Sequence, residues 1–256
     1  MRAWKVLGLI QGALIISLAC VVIAQAQQVN IDSGTIEGES DGDVRIFLGI
    51  PYAVPPLGEL RWKPPAPAVK WTGVKKTTEF GYHCMQGVLF PDIILRDPGP
   101  NEDCLTLNVS TAAKSADAKL PVMVWIHGGA FKVAGSSEAR DDGSILAKRG
   151  VVIVSMNYRM GIFGFLVLPE LTEESGRNAA GNYGMLDQVA ALEWVKRNIA
   201  TFGGDPGNVT IFGESAGSVA VSTMMASPVA KGLFHKAIGE SGGGFYVDGT
   251  TWRCAR

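Results

Sequence analysis

The sequence has no excess of charge of either sign and no cluster of basic residues. Its 23 lysines and arginines face 24 aspartates and glutamates, which leaves a formal net charge of −1. Nucleic acid binding requires clustered positive charge, so this composition gives no support for a nucleic acid partner. The sequence also lacks internal repeats and long low-complexity tracts, which argues against repeat architectures. The 256 residues are sufficient for one large domain with a substantial apolar core.

Long apolar runs are absent except at the N-terminus. Two basic residues precede an apolar run over residues 6–23, and Ala-Gln-Ala follows it. At about 18 residues the run is near the lower limit for a spanning helix. The order of charged, apolar and small residues predicts a secretory signal peptide over residues 1–26, cleaved before Gln27. An uncleaved anchor and a lipoprotein acylated at Cys20 are weaker alternatives. The expected location is therefore secreted or periplasmic, with no membrane attachment after cleavage.

Cysteine is scarce, and export changes how the four cysteines are interpreted. Cys20 would leave with the signal peptide, so Cys84, Cys104 and Cys254 remain. An oxidising compartment favours one disulfide among these three. A Cys84–Cys104 bridge would close a loop of about 20 residues, worth roughly 3 kcal/mol in loop-closure entropy. Under that pairing Cys254 has no evident partner.

Alternating strand and helix patterns indicate an α/β fold. Residues 121–126, 151–157 and 209–212 are nearly continuous apolar runs, typical of strands buried on both faces of a parallel sheet. Residues 184–202 carry apolar residues at steps of three or four, with Lys196, Arg197 and Asn198 on the polar side. This alternation predicts a mostly parallel central sheet with helical connections.

The N-terminal part of the predicted mature chain has a different pattern. Residues 28–50 are predicted to form short strands joined by turns, with alternation of apolar and polar positions in the stretch VRIFLGI, residues 44–50. The proline-rich stretch over residues 51–71 cannot form a central strand or a helix. It is predicted to be an ordered surface loop.

The stretch VTIFGESAGSV, residues 209–219, places Ser215 where a predicted strand ends. Gly213 and Gly217 provide room for the backbone in a sharp strand-to-helix turn. The turn would expose the Ser215 hydroxyl above the sheet, and the following helix N-terminus favours developing negative charge. This G-x-S-x-G pattern predicts a nucleophile elbow with Ser215 as the nucleophile.

A second glycine-rich turn predicts donors for an oxyanion. The stretch IHGGAF, residues 126–131, follows the apolar run at 121–126. Glycines in this position let backbone N–H groups approach a substrate oxygen. The predicted oxyanion hole consists of the N–H groups of Gly129, Ala130 and Ala216, the last being the residue after the nucleophile.

Several longer motifs resemble the type-B carboxylesterases, the family that includes cholinesterases and bacterial para-nitrobenzyl esterases. The resemblance extends from about residue 28 to residue 242. The matching stretches are FLGIPYAVPPLGELRW (47–62), NEDCLTLNV (101–109), VWIHGGAF (124–131), NYRMGIFGF (157–165), GNYGMLDQVAALEWVKRNIATFGGDPGNVTIFGESAG (181–217) and HKAIGESG (235–242).

The resemblance implies an α/β-hydrolase fold and hydrolysis of small-molecule carboxylic esters through an acyl-serine, without a cofactor or metal. It implies supporting positions at Gly128 and Glu214 beside the predicted nucleophile and oxyanion hole. It also implies a Cys84–Cys104 disulfide and an ion pair between Arg61 and Glu102 near the site entrance. Phe131 is a candidate for the acyl side of the substrate pocket.

The family's triad runs in the order serine, acid, histidine, and the last two lie far beyond the elbow. Here the chain ends soon after Ser215, and neither Glu214 nor Asp248 is expected to act as the acid. We expect residues 27–256 to be the N-terminal part of the domain, with the sheet truncated after the elbow region. The 256-residue chain alone is then expected to have little activity.

None of the three histidines, His83, His127 and His235, is assigned as the base. His83 is expected to be a loop residue, His127 part of the HGG motif, and His235 the start of a strand. Two other functions remain open at this point. One is a non-catalytic binding protein with a hydrolase fold, and the other is a structural remnant. Intact Ser215 and an intact HGG motif favour the enzyme. The oligomeric state has no sequence signal.

Overall fold

The computed structural model describes residues 27–243 of the chain. The predicted signal peptide with Cys20, and the C-terminal tail with Asp248 and Cys254, lie outside the described residues.

Within residues 27–243 the chain forms eleven β-strands and five α-helices. The strands are β1 (Gln27–Ile31), β2 (Gly34–Asp41), β3 (Val44–Pro51), β4 (Val74–Lys76), β5 (His83–Cys84), β6 (Pro100–Asn101), β7 (Thr106–Thr111), β8 (Leu120–Ile126), β9 (Val152–Met156), β10 (Gly204–Glu214) and β11 (Lys236–Glu240). The helices are α1 (Gly143–Ala147), α2 (Gly161–Phe165), α3 (Pro169–Glu174), α4 (Tyr183–Asn198) and α5 (Ala216–Ala226).

Nine of the strands form one sheet, in the order β1-β2-β3-β7-β9-β8-β10-β11, with β4 paired to β2. The four strands β9, β8, β10 and β11 are adjacent in this order and parallel to one another. Helices connect them, as parallel neighbours require: α1 lies between β8 and β9, α4 between β9 and β10, and α5 between β10 and β11. The predicted α/β class is confirmed, and the predicted strands at 121–126, 151–157 and 209–212 correspond to β8, β9 and β10.

The sheet is mixed, and its parallel part is smaller than the sequence pattern indicated. Strands β1, β2, β3 and β7 pair antiparallel with one another, and β7 also pairs antiparallel with β9. Only two residues separate β1 from β2 and β2 from β3. Turns this short can join only antiparallel strands, which explains the difference.

The core lies on both faces of the central strands. Every residue of β7 and of β9 is buried. Helix α4 covers one side, where Trp194 and Phe202 pack together and Phe202 meets Phe47 edge to face at 5.0 Å. The prediction that Asn198 lies on the polar side of this helix is wrong. Asn198 is buried, and its amide donates to Trp194 O and Asp32 Oδ1, because a buried amide requires partners.

Among the helices formed by residues 27–243, none has both the length and the apolar character needed to cross a membrane.

Candidate active site

Ser215 occupies the single residue between β10 and α5, and its backbone is strained. Its φ and ψ are 54° and −120°, outside the regions that non-glycine residues ordinarily adopt. Such a conformation costs on the order of 1–3 kcal/mol and persists only where the surroundings enforce it. Here the Ser215 N–H donates to Glu240 O at 2.8 Å, and its carbonyl accepts from Val219 N at 3.1 Å. The half-buried serine is thus fixed between β11 and the first turn of α5.

The two glycines of the elbow are required by close packing. A Cβ added at Gly213 would lie 2.6 Å from Gly217 C and 2.7 Å from Ile126 O. A Cβ added at Gly217 would overlap the Ile126 carbonyl oxygen. Helix α5 therefore begins directly against the end of β8, and any side chain at these positions would push the helix away.

The HGG turn lies beside Ser215 because β8 and β10 are parallel neighbours. Ile126 pairs with Gly213, so the carboxyl ends of the two strands meet at one edge of the sheet. A Cβ added at Gly128 would lie 3.3 Å from Ser215 Cβ and 2.8 Å from Glu214 O. The bare backbone of Gly128 thus allows the turn to touch the elbow.

The backbone of this turn is left-handed over three consecutive residues. Gly129, Ala130 and Phe131 have φ values of 92°, 56° and 57°. Left-handed backbone costs a non-glycine residue roughly 1–2 kcal/mol, so the turn is held against an energetic preference. Gly129 O accepts from the N–H groups of Lys132 and Val133, and Phe131 O accepts from Gly161 N at 2.7 Å.

The three N–H groups predicted for the oxyanion hole have no acceptor within residues 27–243. Gly129 and Ala130 donate to no carbonyl or side chain in that range. Ala216 is the first residue of α5, and the N–H groups of the first turn of a helix have no intrahelical acceptor. The structure therefore brings unbonded N–H donors to the same edge of the sheet as Ser215. A helix N-terminus adds a favourable field for negative charge there.

His127 holds the HGG turn in place through a hydrogen bond and through stacking of its ring. It is buried, stacks on Tyr158 with ring centroids 4.4 Å apart, and donates from Nδ1 to Gly128 O at 3.0 Å. Tyr158 donates its hydroxyl to His127 O at 2.8 Å. Burial lowers the pKa of His127 from 6.5 to about 4, so the ring is neutral near neutral pH. Its contacts are those of a residue that shapes the turn.

No imidazole hydrogen-bonds to Ser215 within the described part of the chain. His83 pairs through Nδ1 with Asp97 at 2.6 Å, and His235 accepts from Val209 N at 3.1 Å. Glu214 is exposed, and its carboxylate lies alongside Gly128. Residues 27–243 thus bring together the predicted nucleophile and N–H donors, without a base at the nucleophile.

A group of side chains linked by a disulfide and an ion pair surrounds a small cavity. Cys84 and Cys104 are joined by a disulfide, with Cα atoms 5.0 Å apart. Arg61 pairs with Glu102 through two hydrogen bonds of 2.6 Å, and its guanidinium lies over Phe163. These five residues line the cavity together with Pro56, Met85 and Arg159.

Sequence reasoning missed two interactions near the site. Arg159 and Asp187 form a buried ion pair with bonds of 2.8 and 2.7 Å, and Arg159 N also donates to Asp187. The sequence carried one signal for this pair: both charged residues lie in otherwise apolar segments, and buried charges are normally paired. The second is the contact of Gln86 with Ala134, for which the sequence carries no local signal.

Comparison with known proteins gives consistent matches. The model of the "Carboxylesterase family" matches residues 25–247. The fumonisin B1 esterase of Sphingopyxis macrogoltabida is 46% identical over 211 residues, covering 82% of this chain and 39% of that protein. The para-nitrobenzyl esterase of Bacillus subtilis is 47% identical over 218 residues, covering 84% and 44%.

Solved structures match as well. Carboxylesterase EST55 of Geobacillus stearothermophilus superposes with a TM-score of 0.78 at 46% identity, covering 85% of this chain and 44% of that protein. This similarity confirms the predicted α/β-hydrolase fold. The chain spans less than half the length of the curated relatives described above.

Proposed function

The chain belongs to the carboxylesterase family, and from this premise we propose that it forms the nucleophile-bearing part of a carboxylic ester hydrolase. The observation that carries the proposal is the position of Ser215. It lies on a strained elbow beside the N–H groups of Gly129, Ala130 and Ala216, which have no acceptor in the described chain. Strained backbone beside unbonded donors is characteristic of a site that stabilises an oxyanion.

In the proposed reaction, Ser215 Oγ attacks the ester carbonyl carbon while its proton passes to a general base. The carbonyl oxygen becomes an oxyanion that accepts hydrogen bonds from the three N–H groups. The bond from carbon to the alcohol oxygen then breaks, and the base returns the proton to the leaving alcohol. Water attacks the resulting acyl-serine by the same route and releases the carboxylic acid. The steps need no cofactor.

We assign the general base to a part of the protein outside residues 27–243. Each of the three imidazoles within that range hydrogen-bonds to another group, and none hydrogen-bonds to Ser215. In serine hydrolases the loss of the base lowers kcat by about 10⁶. The acid must hydrogen-bond to the base in order to orient it, so it is assigned outside this range together with the base.

Gly128 and Glu214 have supporting roles in this proposal. Gly128 must remain without a side chain, because a Cβ there would crowd Glu214 O and Ser215 Cβ. Glu214 contributes its backbone to that contact. Phe131, which is half-buried and packs against Phe165 with centroids 5.2 Å apart, is assigned to the acyl side of the substrate pocket.

We also propose export. Residues 1–26 act as a cleaved signal peptide, and residues 27–256 form part of one carboxylesterase domain. The Cys84–Cys104 disulfide supports this location, because such bridges persist in oxidising compartments.

Small-molecule carboxylic esters are the proposed substrates. Two of the relatives are named for fumonisin B1 and para-nitrobenzyl esters, so the proposal is limited to the shared chemistry of carboxylic ester hydrolysis.

The experiment that tests the proposal is hydrolysis of para-nitrophenyl acetate by the full-length protein that carries this sequence. We expect Ser215→Ala to lower kcat by about 10⁴-fold or more, because the acyl-enzyme can no longer form. Ser222→Ala is the matched control, since Ser222 lies on the same helix and is half-buried. Hydrolysis that survives Ser215→Ala would overturn the assignment of the nucleophile. Absence of hydrolysis from the unmodified protein would overturn the proposal and favour a binding protein.

A further inference from the structure

We propose that Gln86 is a positioning residue for the oxyanion hole. This inference rests on the proposed function, because it assigns a partner to the turn that carries the Gly129 and Ala130 N–H groups. Gln86 lies two residues after Cys84, within the loop that the disulfide closes.

The HGG turn, which carries the Gly129 and Ala130 N–H groups, needs contacts from outside the turn to hold its backbone conformation. After the left-handed run over Gly129–Phe131, the chain adopts a left-handed conformation again at Ala134, where φ is 85°. Four residues of a six-residue stretch thus have left-handed backbone, which is costly for the three that carry side chains. Such a segment relaxes unless hydrogen bonds from outside it hold it in place.

Gln86 supplies two of those hydrogen bonds. Its Nε2 donates to Ala134 O at 2.7 Å, and Ala134 N donates to its Oε1 at 2.7 Å. The side-chain amide thereby pairs with both backbone groups of Ala134, as a neighbouring strand would. Ala134 is buried, so water cannot replace this pairing.

The amide of Gln86 is itself fixed. Its Nε2 also donates to Cys84 O at 3.0 Å, and the disulfide holds Cys84 to Cys104. The same loop makes further bonds to the segment after Ala134. Ala139 N donates to Ile94 O, Arg96 donates to Ser137 O, and Arg140 pairs with Asp92. The disulfide loop and the segment after the HGG turn therefore form one connected unit.

Loss of the Gln86 amide would leave both backbone groups of Ala134 buried without partners. The turn could then relax, and the N–H groups of Gly129 and Ala130 would shift from the oxyanion. Those bonds are made most strongly in the transition state, so kcat would fall while KM would change little. Residues that orient a site from behind typically contribute about 10–100-fold, and we expect a loss of kcat in that range.

The test compares Gln86→Met with the full-length wild-type protein, using para-nitrophenyl acetate. Methionine keeps the length of the side chain and removes the three hydrogen bonds of the amide, two with Ala134 and one with Cys84 O. Gln28→Met is the matched control, because Gln28 is an exposed glutamine that bonds to Glu37 on the outer strands. A trifluoromethyl ketone, whose serine adduct carries an oxyanion, serves as the probe. Hydrogen–deuterium exchange of a peptide spanning residues 128–137 measures how readily the backbone of the turn opens, and this readout does not depend on catalysis.

We expect Gln86→Met to lower kcat and weaken trifluoromethyl ketone binding by a similar factor, with KM within about twofold of wild type. Exchange at residues 128–137 should rise, and Gln28→Met should match wild type. An unchanged kcat in folded Gln86→Met, or a loss confined to KM, would overturn the inference alone. A wild-type protein that neither turns over nor binds the ketone would overturn the proposed function and this inference with it.

Gln86→Glu provides a second test if the methionine variant does not fold. Its carboxylate still accepts from Ala134 N but repels Ala134 O, whereas the protonated acid can donate to that oxygen. We expect its kcat relative to wild type to increase as the pH falls from about 8 to about 5. A ratio that stays constant over this range would contradict a positioning role.

Discussion

At His127, burial and the absence of a charged partner determine the ring's behaviour. Nδ1 donates to a neighbouring carbonyl, Nε2 has no partner in the described chain, and Tyr158 covers the face of the ring. A charged imidazole would be poorly solvated there, which is why the pKa lies near 4. The unfolded chain binds a proton at this residue near pH 6.5.

This difference predicts a pH dependence of stability. The pKa of His127 is lower in the folded state, so its contribution is complete above about pH 6.5 and is lost as the pH falls toward 4. We expect His127→Gln to reduce the fall in unfolding free energy between about pH 7 and 4.5 by about 2 kcal/mol. Urea denaturation at the two pH values measures it.

His235→Gln is the matched control for this measurement, because it removes an exposed imidazole whose one described bond is to Val209 N. It should leave the fall in stability between the two pH values as in wild type. An equal fall in wild type and His127→Gln would mean that His127 is not the buried neutral group described.

The sequence predicted single residues well where a local motif defines them. The sharp turn at Ser215 with its flanking glycines was predicted because a strand-to-helix turn restricts which residues fit. The role of Ser215 as the nucleophile stays a prediction. Gln86 and the Arg159–Asp187 pair were not found, because their partners lie far away in the chain. Asn198 was misplaced because helical periodicity identifies a face but not a polar residue buried through hydrogen bonds.

Among the elements, the strand–elbow–helix unit is closely packed. Gly217 lies against the end of β8, and Gly213 lies against Gly217. The α5 helix can begin where it does only because neither position has a side chain. The position of Ala216 N therefore depends on this packing.

Gly217→Ala tests this dependence. We expect the added methyl group to displace the first turn of α5, to lower the unfolding free energy by about 2 kcal/mol or more, and to reduce esterase activity. Thermal denaturation and para-nitrophenyl acetate hydrolysis measure the two effects. Gly87→Ala is the matched control, because a Cβ there meets nothing within 4 Å. Equal stability and activity in both variants would disprove the packing argument.

Whether an element could be predicted depended on whether its own residues carry the signal or its distant partners do. Strands β8, β9 and β10 were found because their apolar runs are nearly continuous, although only β9 is buried at every residue. Strand β10 proved longer than predicted, beginning at Gly204. Pairing direction was harder to predict. The antiparallel contacts of β7 with β3 and β9 join segments separated by long stretches of chain, and composition does not encode them.

Across the whole molecule, three separate segments meet at one edge of the sheet. The HGG turn follows β8, the elbow follows β10, and the disulfide loop supports the segment after the turn through Gln86. The first two could be expected to meet, because parallel strands that are neighbours in a sheet have their carboxyl ends at the same edge. The third contact depends on tertiary structure.

A separate cavity of about 290 Å³, lined by Met224, Pro228 and Phe234, lies at the far end of α5 from Ser215.

The central claim is that Ser215 is the reactive nucleophile. The most direct measurement is to treat the full-length protein with a fluorophosphonate and locate the label by peptide mass spectrometry. We expect one label per chain, on Ser215, and no labelling of Ser215→Ala or of heat-denatured protein, because reaction requires the folded elbow and its base. A label on another residue, or none on folded protein, would contradict the claim.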